Sequence, residues 1–354
     1  MRKIYNIYGD DPHAMTLKLL EAYGAIKLVR SGANVALKPN LVVSGSPDKG
    51  ATTHAGVLSG CIEYFRDNGV KDISIIEGSW VGAETMRAMK AAGYDEICHK
   101  YNVPFHDLKH DKTRKIDSPI GPIEVCCRAI DAGFLVNLPV LKGHCQTKMT
   151  CALKNLKGCL PDREKSRFHA LGLTRPIAAL GAVLRPGFII VDSICGDLNF
   201  EEGGNPVHTN RMFAGTDPVM IDTYGAGLMG LDLFSVPYIQ VSEMWGAGRT
   251  SITPDDIAFL NEPENAGSYP KPSREVAYLT RKVHEDSACS ACYASLVRAL
   301  YTDKRGRERD IYIGQGWRGK KIPEGALGIG RCCAGAGECV KGCPPSARDI
   351  AAMF

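Results

Sequence analysis

The sequence predicts an α/β fold with a mostly parallel sheet covered by helices on both faces, followed by a small C-terminal cysteine-rich module. Over residues 1–110, apolar runs of strand length alternate with helical patterns, which is typical of a parallel sheet. Six of the fourteen cysteines lie between Cys289 and Cys343, where apolar periodicity fades. A chain of 354 residues that is 44% hydrophobic and 23% charged is long enough for one large or two modest domains.

Strands and helices alternate regularly in the N-terminal region. The predicted strands are Ile4–Tyr8, 34–37 and 72–76, and the predicted helices are 14–28, 56–68 and 84–92. Each strand is therefore followed by a helix, and this order predicts that successive strands run parallel.

The middle of the chain begins with a different pattern. Two short runs, 115–118 and Ile123–Cys126, flank Gly121 between two prolines and predict a hairpin. The remaining predicted elements are buried strands at 134–139 and 187–192 and helices at 149–156 and Pro218–Leu228. Asp217 precedes Pro218, so we interpret Asp217 as a helix N-cap with proline at the first helical position, and not as a catalytic acid.

A linker divides the predicted domains. Four residues that break regular structure, Pro263, Gly267, Pro270 and Pro272, lie close together. We therefore predict an α/β domain with a ligand cleft over residues 1–262, a linker over 263–286 and a cysteine module over 287–354. Glycine, cysteine and basic residues dominate that last segment, which is typical of a module held by metal instead of a large apolar core.

Charge and hydropathy argue against two classes of partner. The net charge is only +4, and no long basic block or interleaved aromatic stripe predicts a nucleic-acid surface. No apolar run reaches the roughly 18 residues of a membrane span, and residues 1–9 resemble a strand rather than a secretory leader. We expect a cytoplasmic protein with no nucleic-acid or membrane partner.

The cysteines indicate metal or redox chemistry, because disulfides are rare in a reducing cytoplasm. Cys289 and Cys292 form a C-x-x-C pair, which can place two sulfurs on one cluster or ion. Farther on come Cys332, Cys333, Cys339 and Cys343, the last directly before a proline as in ferredoxin-type runs. The forty residues between Cys292 and Cys332 must fold back if both halves bind one cluster.

Three interpretations of the module remain open. Iron-sulfur ligation is favoured because zinc ribbons usually close with a second C-x-x-C, which this chain lacks. Structural zinc and inert or disulfide-bonded cysteines are the alternatives. The other eight cysteines are scattered among apolar neighbours, where we expect them to fill the core: Cys61, Cys98, Cys126, Cys127, Cys145, Cys151, Cys159 and Cys195.

Several motifs, taken in order, resemble the iron-sulfur members of the family known as domain of unknown function 362. They are Leu37-Lys-Pro-Asn40, Ile76-Glu-Gly-Ser79, the stretch from Asn137 to His144, Ala152-Leu-Lys-Asn-Leu-Lys-Gly158, Gly215-Thr-Asp-Pro-Val219, the stretch from Ile311 to Lys321, Leu327-Gly-Ile-Gly-Arg-Cys332 and Gly342-Cys343-Pro-Pro345. The Lys-Asn-x-x-Gly element is the most specific. The last motif also looks like the 4Fe-4S loops of hydrogenase small subunits.

The resemblance implies one 4Fe-4S cluster, but it implies no reaction. A cluster bound through cysteines predicts redox chemistry in a reducing, anaerobic cell. The cluster ligands it implies are Cys289, Cys292, Cys332 and Cys343. Cys333 and Cys339 depart from the family pattern, and either could replace one of the four.

A basic stretch between Lys142 and His169 predicts a ligand site in the larger domain. The stretch contains seven Lys or Arg but only two acidic residues, Asp162 and Glu164. It follows a buried strand, and open parallel sheets bind ligands at the ends of such strands. The candidate catalytic residues are Lys142, His144, Lys154 and His169, and the candidate substrate- or anion-binding residues are Lys38, Asn40, Lys148, Asn155 and Lys157. Such residues suit a carboxylate or phosphate. The alternative is a solvated helix face.

Other polar residues follow predicted strands and could converge on the same crevice. These are Lys38, Asn40, Glu77, Ser79 and Asp192. Taken singly, each of them is more often a cap or a turn residue.

Three functions follow as hypotheses. The first is single-electron transfer, as a ferredoxin-like donor or as a reductase whose basic cleft binds a small acidic substrate or a redox partner protein. The second is a non-redox racemase-like or lyase-like enzyme with the cluster as Lewis acid or structural staple, suggested by a weak resemblance to the N-terminal fold of lactate racemase. The third is a structural zinc protein. Association as a homodimer is left open.

Overall fold

The structure is a computed structural model that describes residues 3–203, 205–262, 267–270 and 275–354. The chain forms two compact units, a larger unit of Met1–Glu164 with Thr174–Lys271 and a smaller unit of Lys165–Leu173 with Pro272–Phe354. Residues 165–173, which we expected in the first domain, thus belong to the unit that carries the cysteine pairs. Within the predicted linker, residues 263–266 and 271–274 lie outside the described residues.

The strands are numbered in chain order. They are β1 Ile4–Tyr8, β2 Val35–Pro39, β3 Ile73–Glu77, β4 Phe105–Asp107, β5 Thr113–Ile116, β6 Ile123–Cys126, β7 Phe134–Leu138, β8 Lys142–His144, β9 Lys148–Thr150, β10 Phe188–Asp197, β11 Pro206–Gly215, β12 Ile257–Phe259, β13 Val283–Glu285, β14 Ile311–Ile313, β15 Leu327–Ile329 and β16 Glu338–Val340.

The α-helices are numbered likewise. They are α1 Pro12–Tyr23, α2 Ala55–Asp67, α3 Thr85–Ala91, α4 Tyr94–Tyr101, α5 Cys127–Ile130, α6 Ala152–Asn155, α7 Asp162–Ala170, α8 Thr174–Val183, α9 Pro218–Leu228, α10 Pro237–Met244, α11 Glu275–Leu279, α12 Ser290–Thr302 and α13 Ala347–Ala351. Within the described part of the chain, none of the helices combines the length and apolar character needed to cross a membrane.

The larger unit is built on a mixed sheet with strand order β12-β1-β11-β10-β7-β2-β3-β4. The α/β class is thereby confirmed. Strands β10, β7, β2, β3 and β4 pair in parallel, and β1 also pairs in parallel with β12. Strand β11 pairs antiparallel with both β1 and β10. Parallel pairs thus dominate, but β11 makes the sheet mixed. The predicted hairpin is confirmed as the antiparallel pair β5 and β6.

Both faces of this sheet are buried. On one face, residues from α1, α2 and α4 form an apolar cluster with alternate strand residues such as Leu37, Val136 and Ile190. Leu135 and Ile189, which point to the other face because side chains alternate along a strand, are buried as well. There α6 contacts β7, and α9 contacts β11.

Local sequence signals explain several helix ends. The Asp217 side chain accepts the Val219 and Met220 N–H groups at the start of α9, which confirms the predicted N-cap. Helix α1 ends at Gly24, which adopts the left-handed conformation, so the predicted helix over 14–28 is too long.

The predicted helix over 149–156 is wrong in its first part. Residues 148–150 form strand β9, which pairs antiparallel with β8, and only Ala152–Asn155 is α-helical. The reason is tertiary: the buried Asp222 carboxylate accepts the Ala152 N–H at 2.7 Å and so sets the helix start there.

The smaller unit contains a second sheet, whose strands β13, β14, β15 and β16 are all parallel. Helix α12 buries one face rich in alanine and leucine, and Ile322, Ala326 and Cys333 form a small apolar cluster with Tyr312 and Trp317 packed against it. This unit therefore has regular structure and a core of its own, which the fading periodicity of its sequence did not indicate.

Candidate functional site

A buried polar network occupies the carboxyl ends of strands β2, β3 and β7 in the larger unit. Lys38, near the end of β2, donates from Nζ to Glu77 Oε2 at 2.6 Å, and Glu77 ends the neighbouring strand β3. The two side chains are 0% and 3% exposed. Since parallel strands end at the same edge of a sheet, residues from separate motifs meet here.

The last position of the Lys-Asn-x-x-Gly element, Gly158, must be glycine for a steric reason. A Cβ atom at this position would lie 1.9 Å from Glu77 Oε1 and 2.8 Å from Lys38 Nζ. Only glycine lets the backbone approach the ion pair this closely. The other two positions of the element also belong to the network, because the Asn155 amide donates to Asn137 Oδ1 at 2.8 Å and Lys154 contacts Glu201.

Glu201 is the acidic centre of the network. Its Oε2 atom lies 2.8 Å from Lys154 Nζ and 2.6 Å from His144 Nε2, and both contacts are buried. Although burial by itself raises the pKa of the Glu201 carboxyl, the adjacent His144 and Lys154 hold that pKa well below its usual value. Asp197 fixes the turn that carries Glu201 by accepting the Asn199, Phe200 and Asn205 backbone N–H groups.

His144 is held as a neutral imidazole. Its Nδ1 atom accepts the Gln146 and Thr147 backbone N–H groups at 3.0 and 3.1 Å, so this nitrogen carries no proton. Burial lowers the pKa of His144 to about 4, which agrees with that tautomer. The remaining proton is therefore on Nε2, facing Glu201.

Lys142 is fully buried and surrounded by oxygen atoms. Its Nζ donates to Ala51 O at 2.6 Å, Glu201 O at 2.8 Å and Asn40 Oδ1 at 3.4 Å. Burial lowers the pKa of Lys142 to about 7 despite the opposing effect of Glu201. A pKa near neutrality suits a group that transfers protons.

Three further predicted residues of this site, Lys148, Lys157 and His169, are placed differently from one another. Lys148, the first residue of β9, is exposed and has a φ of +68°. Lys157 is half-buried beside Gly158. His169 belongs to the smaller unit, where its Nε2 lies 3.2 Å from Ser290 Oγ. Thus Lys38, Asn40, Lys142, His144, Lys154 and Asn155 form the network, while Lys148 is exposed and His169 belongs to the smaller unit.

Two further candidate residues, Ser79 just beyond β3 and Asp192 within β10, engage other partners. Ser79 donates to Ala83 O at 3.2 Å and contacts Thr85 Oγ1 at 3.0 Å. Asp192, in the middle of β10, accepts the His54 backbone N–H at 2.8 Å and lies 2.7 Å from His54 Nδ1.

Sequence reasoning missed Glu201, Glu202 and the capping Asp222. The acidic pair follows Asp197 after the strand at 187–192, so its position beyond a strand was a usable signal. The local count of positive charges was misleading, because the carboxylate that neutralises Lys154 belongs to Glu201, in a distant segment.

Glu202 offers a test of the network through pH. Burial, together with the neighbouring Glu201, raises the pKa of Glu202 to about 7. A raised carboxyl pKa stabilises the fold at low pH, and that contribution is lost as pH rises through about 7. We therefore expect the free energy of unfolding of Glu202→Gln, measured relative to that of wild type by urea unfolding, to rise by about 2 kcal/mol between pH 5 and pH 8. The exposed Glu21→Gln serves as control, and equal shifts for both variants would contradict this burial.

The cysteine cluster, defined as Cys289, Cys292, Cys332 and Cys343, lies in the smaller unit. Burial and then the nearby Cys289, Cys343, Cys332 and Cys333 thiols raise the pKa of Cys292. Sulfurs from three separate segments are therefore close enough to interact with one thiol. The structure records the cysteines as thiols, with no disulfide in the described ranges.

The parallel sheet of the smaller unit explains how these segments meet. Cys289 follows β13, Cys332 follows β15 and Cys343 follows β16. Since all strands of this sheet run in one direction, the loops after them emerge at one edge. Gly330 and Gly342 have φ angles of +79° and +142°, and a Cβ on Gly330 would lie 3.8 Å from Cys292 Sγ.

The two spare cysteines differ from the four. Cys333 is buried in the small apolar cluster of this unit. Cys339 Sγ is 3.6 Å from Gly330 O. Among the residues that the structure describes, no three His, Cys, Asp or Glu side chains lie close enough together to hold a single metal ion.

Fold and sites together define an α/β protein with a buried charge network at a sheet edge and a small, separate cysteine-bearing unit. The chain belongs to the family described as Domain of unknown function (DUF362), whose model matches residues 35–227. That match includes the network but ends before Cys289, so the iron-sulfur assignment stays a prediction.

Two comparisons give relatives of this chain. It is 24% identical over 245 residues to the thylakoid-associated protein sll1697 of Synechocystis sp. (strain ATCC 27184 / PCC 6803 / Kazusa), an alignment that covers 66% of this chain and 74% of that protein. Among solved structures, the lactate racemase apoprotein from Thermoanaerobacterium thermosaccharolyticum is similar with a TM-score of 0.46 and 14% identity. That likeness covers 64% of this chain and 56% of the racemase chain.

Proposed function

We propose that the protein carries one 4Fe-4S cluster in its smaller unit and passes single electrons to a partner protein. The observation that carries the proposal is that Cys289, Cys332 and Cys343 lie in loops that follow three parallel strands of one sheet, with Cys292 three residues after Cys289. Four cysteine sulfurs are the usual ligand set of such a cluster.

The surroundings of the four thiols fit a cluster chemically. Gln315 Nε2 and Arg318 Nη2 donate to two of the sulfurs, at 3.6 and 3.3 Å, as expected where thiolates carry negative charge. When bound, a 4Fe-4S cluster gains or loses one electron at a time. Cys343 is exposed at this edge, so a partner could approach one of the ligands directly.

A carrier role is favoured over a reductase with a basic substrate cleft. Lys38 and Lys154 already contact the carboxylates of Glu77 and Glu201, and Lys142 donates to three oxygen atoms of the protein. These cations are buried and engaged internally, which leaves them poorly placed to attract an acidic substrate.

Anaerobic purification followed by iron, sulfide and zinc analysis tests the proposal. We expect about four irons and four sulfides per chain, with broad visible absorbance that dithionite bleaches. Bound zinc in a colourless protein would contradict the proposal and support the structural-zinc alternative. Colour that dithionite leaves unchanged but a substrate alters would favour non-redox use of the cluster.

A further inference from the structure

The loop over residues 314–318, in the family motif from Ile311 to Lys321, lies against the cysteine cluster. It follows strand β14, which stands between the strands that precede Cys289 and Cys332. The Gln315 amide donates to Cys289 Sγ at 3.6 Å, and the Arg318 guanidinium donates to Cys332 Sγ at 3.3 Å. Each strand of this sheet therefore leads into a loop that supplies either a thiol or a donor to a thiol.

The loop packs closely against the segment at the end of β13. A Cβ on Gly314 would lie 1.9 Å from Asp286 O, and one on Gly316 would lie 2.0 Å from the Asp286 side chain. Trp317 donates from Nε1 to His284 O at 3.0 Å. The two glycines and the indole thus fix the backbone on both sides of Gln315, whose amide also donates to Ser166 O at 2.8 Å.

The Arg318 side chain is exposed at the edge of the sheet where the cysteine-bearing loops emerge. Its hydrogen bond to Cys332 Sγ at 3.3 Å places the guanidinium charge beside one of the proposed ligands. Arg331 is also exposed and directly precedes Cys332 in sequence. Its hydrogen bond is made by the backbone, from N–H to Gly342 O, whereas Arg318 uses its side chain to contact a sulfur.

We propose that Arg318 sets the reduction potential of the cluster, by donating to Cys332 Sγ and by placing a positive charge beside the thiolates. The proposal rests on the cluster assignment made above. It gives the motif from Ile311 to Lys321 a role in tuning the potential, which its sequence did not indicate.

The direction of the effect follows from electrostatics. Four thiolates already make the site anionic, and each added electron increases the negative charge on the sulfurs. A cation and a hydrogen-bond donor at the sulfur therefore stabilise the reduced form more than the oxidised form. Removing them lowers the reduction potential.

An EPR-monitored redox titration of Arg318→Gln, with dithionite as reductant, tests the proposal in the full chain. We expect the ratio of reduced to oxidised cluster at a fixed solution potential to fall about tenfold, which is a shift of about 59 mV to lower potential for one electron. Arg318→Lys keeps the charge without the planar donor pair, so its shift should be smaller. If Arg318→Gln loses its iron, Arg318→Lys provides the measurement.

Arg331→Gln is the matched control, because it removes the same charge beside the same cysteine without removing the sulfur contact. A full iron content with an unchanged potential in both Arg318 variants would overturn the proposal, and so would equal shifts in Arg318→Gln and Arg331→Gln. A wild-type protein without iron and sulfide would instead contradict the cluster assignment itself. The two failures are therefore distinguished by the metal analysis of the wild type.

Discussion

Cys343→Ser should lose most of its iron, retaining less than about half of the wild-type content after anaerobic purification. The serine hydroxyl is a poor substitute for a thiolate, and Cys343 is one of the thiols that interact with Cys292. The larger unit should stay folded, because its core contains none of the four cluster cysteines. Iron and sulfide analysis, with circular dichroism on the same sample, measures both effects.

Cys339→Ser is the matched control for this experiment. It makes the same atomic change four residues away, in a side chain whose sulfur lies 3.6 Å from Gly330 O. We expect Cys339→Ser to keep its iron. The reverse result, with iron retained in Cys343→Ser and lost in Cys339→Ser, would move the fourth ligand to Cys339.

Glu201→Ala should destabilise the larger unit by about 3–5 kcal/mol, because it leaves the buried Lys154 ammonium without its carboxylate. Lys154 is only 6% exposed and lies 2.8 Å from Glu201 Oε2. A loss of this size is a large share of the roughly 5–15 kcal/mol that stabilises a typical domain. Urea unfolding monitored by the fluorescence of Trp80 and Trp245, in a Trp317→Phe background, would report on this unit.

The double variant Glu201→Leu with Lys154→Met separates the cost of an unpaired charge from the loss of packing. Replacing both partners by apolar side chains of similar volume is expected to recover much of the lost stability. A double variant as unstable as Glu201→Ala would show that the ion pair is not the main contribution. A loss below about 1 kcal/mol in Glu201→Ala would mean that Lys154 reaches another acceptor.

The local signals in the sequence identified most elements of the larger unit. Alternating apolar runs placed β1, β2, β3 and β7 within one or two residues, and Asp217 before Pro218 marked the start of α9. These features depend on short-range geometry, namely side-chain periodicity and the capping of orphan N–H groups, which neighbouring residues decide. The element over 149–156 was mispredicted because a distant carboxylate, Asp222, sets its helix start.

For the two candidate sites, the sequence likewise indicated the residue types, whereas the structure was needed to identify their partners. From residue types and spacing alone, the sequence indicated six candidate thiols and most of the network, including Lys38, Lys142 and Lys154. The resemblance to the family reduced the six thiols to four. The sequence could not indicate the partners of the lysines, because Glu77 and Glu201 lie 39 and 47 residues from the lysines they contact. Only the packed structure turns an apparent excess of positive charge into a neutralised, buried network.

The sequence by itself determined the α/β class, the DUF362 membership and the six cysteines from which ligands could be drawn, since these depend on periodicity, on motifs and on chemical type. Tertiary structure decided which cysteine-bearing loops lie side by side, because parallel strands bring the loops after β13, β15 and β16 to one edge. It also decided that Arg318 touches Cys332 and that Gly158 must lack a side chain. Contacts of that kind depend on strand order and close backbone approach, which no local pattern of residues records.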